Sequence, residues 1–225
     1  MGILSQLLDL FFPPHCAACK AEGDFLCKNC VQQFRINRIK AKSVHPSSDD
    51  FQYLDGVIYG ADYAGNPELR AAVSQFKYKF NRELTYHFAR LVSQKLKELR
   101  MLRGRRAVLI PVPLHKKRLN YRGFNQAELI AYAAAAGYGS DIDVFMPLTR
   151  IKNTSQQAKL NKKERHQNLD EAFEVTGDLD RVRDKVCFVV DDVCTTGATL
   201  DSCAKVLKAN GVQKVYGLVV ARAFK

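Results

Sequence analysis

The chain has 225 residues, of which 47% are hydrophobic, and this is enough for one good-sized domain with a packed core plus a small appendage. Its net charge of +12 suits phosphorylated ligands or a nucleic-acid backbone, although proteins that bind neither also carry such a surplus. No apolar stretch reaches the ~20 residues of a membrane-spanning helix, and residues 1–12 lack the basic leader and cleavage site of a secretory signal. We therefore expect a cytoplasmic protein with no membrane span.

The first 34 residues predict a short helix followed by a metal-binding module. Residues 3–12 place apolar side chains at helical spacing, which favours an amphipathic helix packed on the body of the protein over one lying on a membrane surface. Two CxxC pairs follow, separated by seven residues, and they consist of Cys16, Cys19, Cys27 and Cys30. In a chain with no secretion signal, four thiolates at this spacing indicate a structural Zn²⁺ site, with reduced thiols or a redox pair as the alternatives.

The main domain is predicted to begin after a polar linker. Residues 35–50 include Pro46-Ser47-Ser48, so the chain divides into a module over residues 1–34, a linker over residues 35–50 and a domain over residues 51–225. A strand is predicted within residues 53–63. Asn66 and Pro67 then predict the N-cap and first turn of a helix, and a second helix is predicted from about residue 82 to Gly104.

The second half of the chain alternates strands with helices. Residues 107–113 are predicted as a buried strand, residues 115–118 as a basic loop and residues 127–137 as a helix. Residues 140–180 are polar and rich in turn residues. A strand ending at Asp192, a helix and a last strand over residues 214–223 follow. This alternation predicts an α/β fold with a mainly parallel sheet that is covered by helices on both faces.

The run from Phe188 to Leu200 is the most informative part of the chain. An apolar strand brings two adjacent carboxylates, Asp191 and Asp192, to its carboxyl end, where ligands of α/β folds collect. The predicted helix is preceded by a loop of small and hydroxyl-bearing residues, namely Thr195, Thr196, Gly197, Ala198 and Thr199. Such a loop at a helix start favours a phosphate, and the two acids suit a ligand that also has a cis-diol or brings a metal ion. A sugar phosphate fits this arrangement; the alternative is a strand, turn and helix without a ligand.

Several further blocks accompany this run, which is similar to the phosphoribosyl pyrophosphate (PRPP) signature of type I phosphoribosyltransferases. They are the paired CxxC motifs, Phe76-Lys-Tyr-Lys79, Pro111-Val-Pro-Leu-His-x-x-Arg118, Arg122-Gly-Phe-Asn-Gln-Ala127, Arg150-x3-Thr154-x2-Gln157-x2-Leu160, Arg165-x2-Asn168, Ala172-Phe173 and Arg222. With these blocks in this order over nearly its whole length, the chain resembles the ComF family.

The resemblance implies a type I phosphoribosyltransferase fold behind a zinc module, and a role in DNA uptake or single-stranded DNA handling during natural transformation. By this resemblance Asp191 and Asp192 would hold the ribose hydroxyls, residues 195–199 the 5′-phosphate, and Mg²⁺ the pyrophosphate and sugar oxygens. A pyrophosphate-binding loop would be formed by Pro113, Leu114, His115, Lys116, Lys117 and Arg118. Catalysed phosphoribosyl transfer is not an established activity of the family, and no acceptor can be named from the sequence.

Direct DNA binding is suggested by three basic stretches, over residues 76–82, 100–106 and 159–165, because cations interleaved with aromatic rings can follow a single strand. Phe76 and Phe80 are four residues apart and are predicted to face the core, which leaves Tyr78 as the better stacking residue. The candidate DNA contacts are Lys77, Tyr78, Lys79 and Arg122. His115, in the basic loop, is interpreted as a hydrogen-bond donor.

Four hypotheses follow for the function. The preferred one is a DNA-handling protein whose phosphoribosyltransferase-like pocket senses PRPP or a related nucleotide. The second is a true transferase with an unknown acceptor. The third is an inert scaffold that docks a partner, such as a competence helicase or recombination protein, through its zinc module. The fourth, a redox protein, is the least favoured because two CxxC pairs so close together favour zinc.

Overall fold

A computed structural model describes residues 13–34, 51–79, 81–152 and 171–223 of the chain. The predicted helix over residues 3–12, the predicted linker over residues 35–50 and the basic stretch over residues 159–165 lie outside these residues.

Five parallel strands form the central sheet. In chain order they are β1 (Val57–Asp62), β2 (Ala107–Pro111), β3 (Ile142–Val144), β6 (Val186–Cys194) and β7 (Lys214–Arg222). Their order across the sheet is β1-β7-β6-β2-β3, and every neighbouring pair is parallel. Two short strands, β4 (Leu148–Arg150) and β5 (Phe173–Val175), form a separate antiparallel pair. The predicted mainly parallel sheet is confirmed.

Helices cover both faces of this sheet, as the alternating pattern predicts. The α-helices of the described residues are α1 (Lys28–Gln32), α2 (Pro67–Tyr78), α3 (Leu84–Glu98), α4 (Lys116–Arg122), α5 (Gln126–Tyr138) and α6 (Ala198–Ala209). Helices α3 and α5 pack on one face and α6 on the other. Because both faces are covered, all five residues of β2 are buried, which explains why its sequence is continuously apolar. Among the described residues, no helix is both long and apolar enough to cross a membrane.

The predicted basic loop at residues 115–118 is wrong, because the chain there enters helix α4. His115 is the N-cap, and its Nδ1 accepts a hydrogen bond from the backbone N–H of Lys117 at 3.3 Å. In a neutral imidazole this places the ring proton on Nε2, so the donor role of His115 stays a prediction. Gly123 ends the helix in a left-handed conformation with φ of 73°. The cationic side chains of this segment are therefore presented by a helix.

Asn66 and Pro67 are the N-cap residue and the first-turn proline of α2, as predicted. The side chain of Asn66 makes no capping hydrogen bond, because its Nδ2 donates to the backbone carbonyl of Asp62. One other local prediction needs correction. Within the turn-rich residues 140–180, three short strands were missed. They are only three residues long, which leaves almost no alternation for a sequence pattern to reveal.

The cysteine module is part of the main core. Cys16, Leu26 and Phe34 are buried in the same apolar cluster as Phe76 of α2 and Phe88 of α3. In addition, Nε2 of Gln75 on α2 donates to the carbonyl of Ala17 at 3.2 Å. The module is therefore fixed directly on the two helices that begin the domain.

Candidate functional site

The two adjacent carboxylates lie at the carboxyl end of β6, in the middle of the sheet. Asp192 is only 4% exposed, whereas Asp191 is partly exposed. Oδ1 of Asp191 accepts a hydrogen bond from the N–H of Asp192 at 2.8 Å, and Oδ1 of Asp192 accepts one from the N–H of Val193 at 2.6 Å. These bonds fix the orientation of both carboxylates close to the end of the strand.

Lys77 supplies the counter-charge of this acid pair. Its Nζ lies 2.7 Å from Oδ1 of Asp192, and the lysine reaches the pair from the last turn of α2. Burial alone would lower the pKa of Lys77, but the charges of Asp192 and Asp191 outweigh burial and raise it. Lys77 is therefore held in its charged form and neutralises one of the two carboxylates.

The second carboxylate is left without an equivalent partner. Burial, followed by the charge of neighbouring Asp192, raises the pKa of Asp191 from 3.8 to about 7, against the opposing charges of Lys77 and Arg150. Near neutral pH, Asp191 therefore exists in both protonation states. A cation or a hydroxyl donor placed beside it would favour its ionised form.

The threonine-rich loop between β6 and α6 offers unused hydrogen-bond donors. Among the described residues, none accepts a hydrogen bond from the backbone N–H groups of Thr195, Thr196 or Gly197. These groups stand at the N-terminus of α6, a 12-residue helix whose positive dipole end faces the same loop. The loop can therefore accept an anion without losing a hydrogen bond within the described structure.

Gly197 is required at its position for two reasons. Its φ is 76°, a left-handed conformation that residues with a side chain rarely adopt. A Cβ on Gly197 would also collide with Cε1 of Phe51 and lie 2.8 Å from its Cζ. The guanidinium of Arg222 lies over the other part of this ring, 5.5 Å from its centroid. The ring of Phe51 therefore lies between Gly197 and Arg222 and forms one side of the loop.

Asp201 holds the segment that carries Phe51. Its carboxylate is 3% exposed and accepts backbone hydrogen bonds from Gln52, Tyr53 and Leu54, at 3.1, 2.8 and 2.9 Å. Because Asp201 lies in the first turn of α6, it fixes the start of the main domain to the same helix that follows the loop. No sequence pattern signals this role, since the bonded residues are about 150 positions apart along the chain.

Three arginines influence one another in series, and the first of them, Arg150, acts on Asp191. Arg150 is 7% exposed, its guanidinium lies 5.3 Å from the ring centroid of Phe173, and it interacts electrostatically with both Asp191 and Arg118. Burial, and then the like charge of Arg122, lowers the pKa of Arg118. Arg122 donates to Oε1 of Gln126 at 3.1 Å. Cations crowded in this way favour a multiply charged anion.

The residues predicted for pyrophosphate and DNA fall on neighbouring surfaces. Lys116 and Lys117 are exposed, while Pro113, Leu114, His115 and Arg118 are partly exposed. Tyr78 is 67% exposed and Lys79 is exposed, whereas Phe76 is buried as predicted. Lys77 differs from its neighbours because its ammonium group is turned towards Asp192. Direct DNA contact by Lys77, Tyr78, Lys79 or Arg122 stays a prediction.

The four module cysteines form a cluster suited to a metal ion. Their sulfur atoms all lie within 4.8 Å of one another, and the sulfurs of Cys19 and Cys27 are 3.7 Å apart. Tetrahedral zinc with Zn–S bonds of 2.3 Å requires sulfurs about 3.8 Å apart. Burial would raise the pKa of Cys16, but backbone N–H groups, foremost that of Cys27, outweigh it and lower the pKa to about 6. The cluster can hold a metal ion through thiolates.

Comparison with known proteins gives consistent results over most of the chain. Residues 122–223 match the family model described as Phosphoribosyl transferase domain. Competence protein F of Haemophilus influenzae is 28% identical over 216 residues, which cover 93% of this chain and 85% of that protein. The DNA utilization protein YhgH of Salmonella typhimurium is 32% identical over 204 residues, covering 90% and 80% of the two chains. Competence protein ComFC of Bacillus subtilis is 30% identical over 149 residues, covering 66% and 57%.

Replacing Gly197 by alanine tests the contact between the loop and Phe51. Gly104 provides the matched control, because its φ is 68° but a Cβ there would meet nothing within 4 Å. Both alanine variants should lose about 1 kcal/mol of unfolding free energy through backbone strain, and Gly197→Ala should lose clearly more in urea denaturation. Phe51→Ala should recover part of the excess in the Gly197→Ala background. Equal losses for the two glycine variants would show that Phe51 does not press on the loop.

The raised pKa of Asp191 predicts a pH-dependent stability. Between about pH 4 and pH 7 the folded protein holds a proton that the unfolded chain releases, so this contribution to stability is lost as pH rises through 7. Asp191→Asn should therefore be more stable than the wild type at pH 8, by about 2 kcal/mol after allowance for partial exposure, and the difference should shrink at pH 5. Urea denaturation at both pH values measures it, with the exposed Asp141→Asn as control. A difference that does not change with pH would contradict the raised pKa.

Proposed function

We propose that this protein, which belongs to the ComF family, has a competence-related function. Its pocket is proposed to bind PRPP or a related sugar phosphate together with Mg²⁺. The protein is further proposed to handle incoming single-stranded DNA. Relatives in this family are named for competence and for DNA utilization. The observation that carries the proposal is the pairing of free backbone donors at residues 195–197 with two carboxylates at the adjoining strand end.

The loop is proposed to bind the 5′-phosphate. Its three N–H groups and the N-terminus of α6 provide donors and positive potential, and the hydroxyls of Thr195, Thr196 and Thr199 add further short donors. Gly197 allows the backbone to approach the phosphate closely. This ligand would sit beside the ring of Phe51, which forms one side of the loop.

The acid pair is proposed to bind the ribose hydroxyls. Ionised Asp192 and Asp191 accept hydrogen bonds from a cis-diol, and the raised pKa of Asp191 means that binding at neutral pH would release part of a proton. Carboxylate oxygens are also the ligands that Mg²⁺ prefers, so Asp191 and Asp192 would hold the ion, which would neutralise the charge of the bound pyrophosphate. Lys77 would keep Asp192 ionised and oriented.

The pyrophosphate is proposed to lie against the start of α4. Lys116, Lys117 and Arg118 project from this helix, and Arg150 stands near both Arg118 and Asp191. A doubly charged group between these cations would relieve their mutual repulsion. The corrected secondary structure supports this role, because His115 and Gly123 fix both ends of a short, defined helix.

DNA contact is proposed for the exposed end of α2 and its surroundings. Tyr78 presents an open ring on which a base can stack, and Lys79 beside it can neutralise a phosphate. Arg122 would contribute from α4. Because Lys77 on the same helix turn pairs with Asp192, occupancy of the pocket and contact with DNA would involve the same short segment.

Calorimetric titration of Mg²⁺ and PRPP into the zinc-loaded protein tests the pocket. We expect saturable binding by the wild type and none by Asp191→Asn/Asp192→Asn, because the diol and metal ligands are lost. Glu83→Gln/Glu174→Gln removes the same number of charges from exposed side chains and should bind normally. Absence of binding by folded wild-type protein would overturn the proposal and favour a scaffold that docks a competence helicase or recombination protein. Breakdown of bound PRPP would instead indicate a transferase.

Zinc is proposed as the metal of the four-cysteine module, in a cytoplasmic setting that keeps the thiols reduced. Metal analysis should find one zinc ion per chain, and Cys16→Ser/Cys30→Ser should lose it. Because the module shares its core with α2, removal of zinc by a chelator should lower the melting temperature of the whole protein. Cys187→Ala, a buried cysteine outside the module, should keep the metal. A stable, metal-free native protein would contradict the assignment.

A further inference from the structure

A second basic site lies at the edge of the sheet opposite the acid pair. Strands β2, β6 and β7 begin side by side there, with Ala107, Val186 and Lys214 in register. A groove of about 510 Å³ opens across these strand starts. Its lining consists of Arg105, Arg106, Arg183, Asp184, Lys185, Val186, Gln213 and Lys214.

The groove is strongly positive, since five of its lining residues are cationic and one is acidic. Three of the cations have acidic neighbours outside the lining: Arg183 lies 3.1 Å from Asp180, Lys185 3.6 Å from Asp143 and Lys214 3.5 Å from Asp55. Arg105 and Arg106 are exposed, and neither forms an ion pair with any described residue. Two adjacent guanidinium groups thus remain available to an external anion.

Two backbone features lie next to these cations, one beside Arg183 and one before Arg105. Gly211, with φ of 93°, turns the chain between α6 and β7, and a Cβ there would lie 3.3 Å from Nε of Arg183. The glycine therefore leaves room for the arginine to lie along the groove. Arg105 follows a turn in which its N–H donates to the carbonyl of Leu102, and this fixes the approach to β2.

We propose that this groove binds the phosphate backbone of a nucleic-acid strand. Its cations are spread over three strand starts, a width of about 10 Å, which exceeds the spacing of successive phosphates along one strand. They are also exposed or half-exposed, so each contributes little alone and a ligand with repeated charges is favoured over one compact anion. No aromatic side chain is among the lining residues, so binding would rest on phosphate contacts and not on base stacking.

The groove is independent of the proposed sugar-phosphate pocket. Val186 and Asp191 are separated by about 16 Å along β6, and the two residues mark opposite ends of the strand. Binding of DNA here would leave the pocket open. The inference therefore does not rest on PRPP binding, and it adds a second DNA-contacting surface to the proposed one on α2.

The test uses Arg105→Ala/Arg106→Ala in the zinc-loaded, full-length protein. Fluorescence anisotropy with a labelled oligothymidylate, across a range of salt concentrations, measures the affinity. Loss of two phosphate contacts should weaken binding about 25-fold at 0.1 M salt and reduce the slope of log K against log salt by about 1.4. Lys28→Ala/Arg90→Ala removes two exposed cations outside the groove. This control should weaken the affinity and reduce the salt slope by less than Arg105→Ala/Arg106→Ala does.

Two outcomes would overturn the inference. The first is an unchanged affinity and salt slope in Arg105→Ala/Arg106→Ala, or an equal loss in the control variant. The second is saturable binding of inorganic pyrophosphate that depends on these two arginines, together with no binding of the oligonucleotide. That result would show a site for small anions. Calorimetry with Mg²⁺ and PRPP on the same variant should give wild-type binding, so failure of the groove and failure of the pocket are distinguishable.

Discussion

Repulsion between Asp191 and Asp192 is the constraint around which the site is organised. Two carboxylates on consecutive residues at the end of a central strand cannot both ionise freely when one is buried and the other partly so. The protein meets this by bringing Lys77 to within 2.7 Å of Asp192 and leaving Asp191 with a pKa of about 7. Asp192 therefore carries a permanent negative charge, and Asp191 ionises fully when a ligand or a cation binds beside it.

The position of Lys77 depends on elements far from the loop. Helix α2, which carries it, packs through Phe76 on α3 and through Gln75 on the cysteine module. A metal held by the module would therefore stiffen the same helix that supplies the counter-charge. This gives a physical reason why the four-cysteine module and the phosphoribosyltransferase-like domain belong together in one chain, because the module supports the helix that carries Lys77.

The parts of this structure that depend on local patterns could be predicted from the sequence. The continuous apolar runs predict buried parallel strands, and the CxxC spacing predicts the convergence of four sulfurs. The exposure of Tyr78 and burial of Phe76 follow from helical spacing. Helix α4 was missed because a basic segment after a proline is typical of a loop, and its capping by His115 has no strong sequence signal.

Contacts between distant residues could not be predicted in the same way. Lys77 and Asp192 come together only once α2 is packed, so the basic stretch around Lys77 carries no sign of this ion pair. The carboxylate of Asp201 similarly accepts hydrogen bonds from three backbone N–H groups at the start of the domain. These bonds hold the segment that places Phe51 against Gly197. Each depends on tertiary packing, and each lies within the candidate site.

A double-mutant cycle between Lys77 and Asp192 tests most directly whether this ion pair organises the site. Unfolding free energies of Lys77→Met, Asp192→Asn and the double variant, measured in urea at pH 8, should reveal a coupling of about 1–2 kcal/mol. Lys79→Met combined with Asp192→Asn should be additive within about 0.5 kcal/mol, since Lys79 is exposed. Additive effects for Lys77 and Asp192 as well would show that the lysine does not balance the acid pair and would contradict this account of the site.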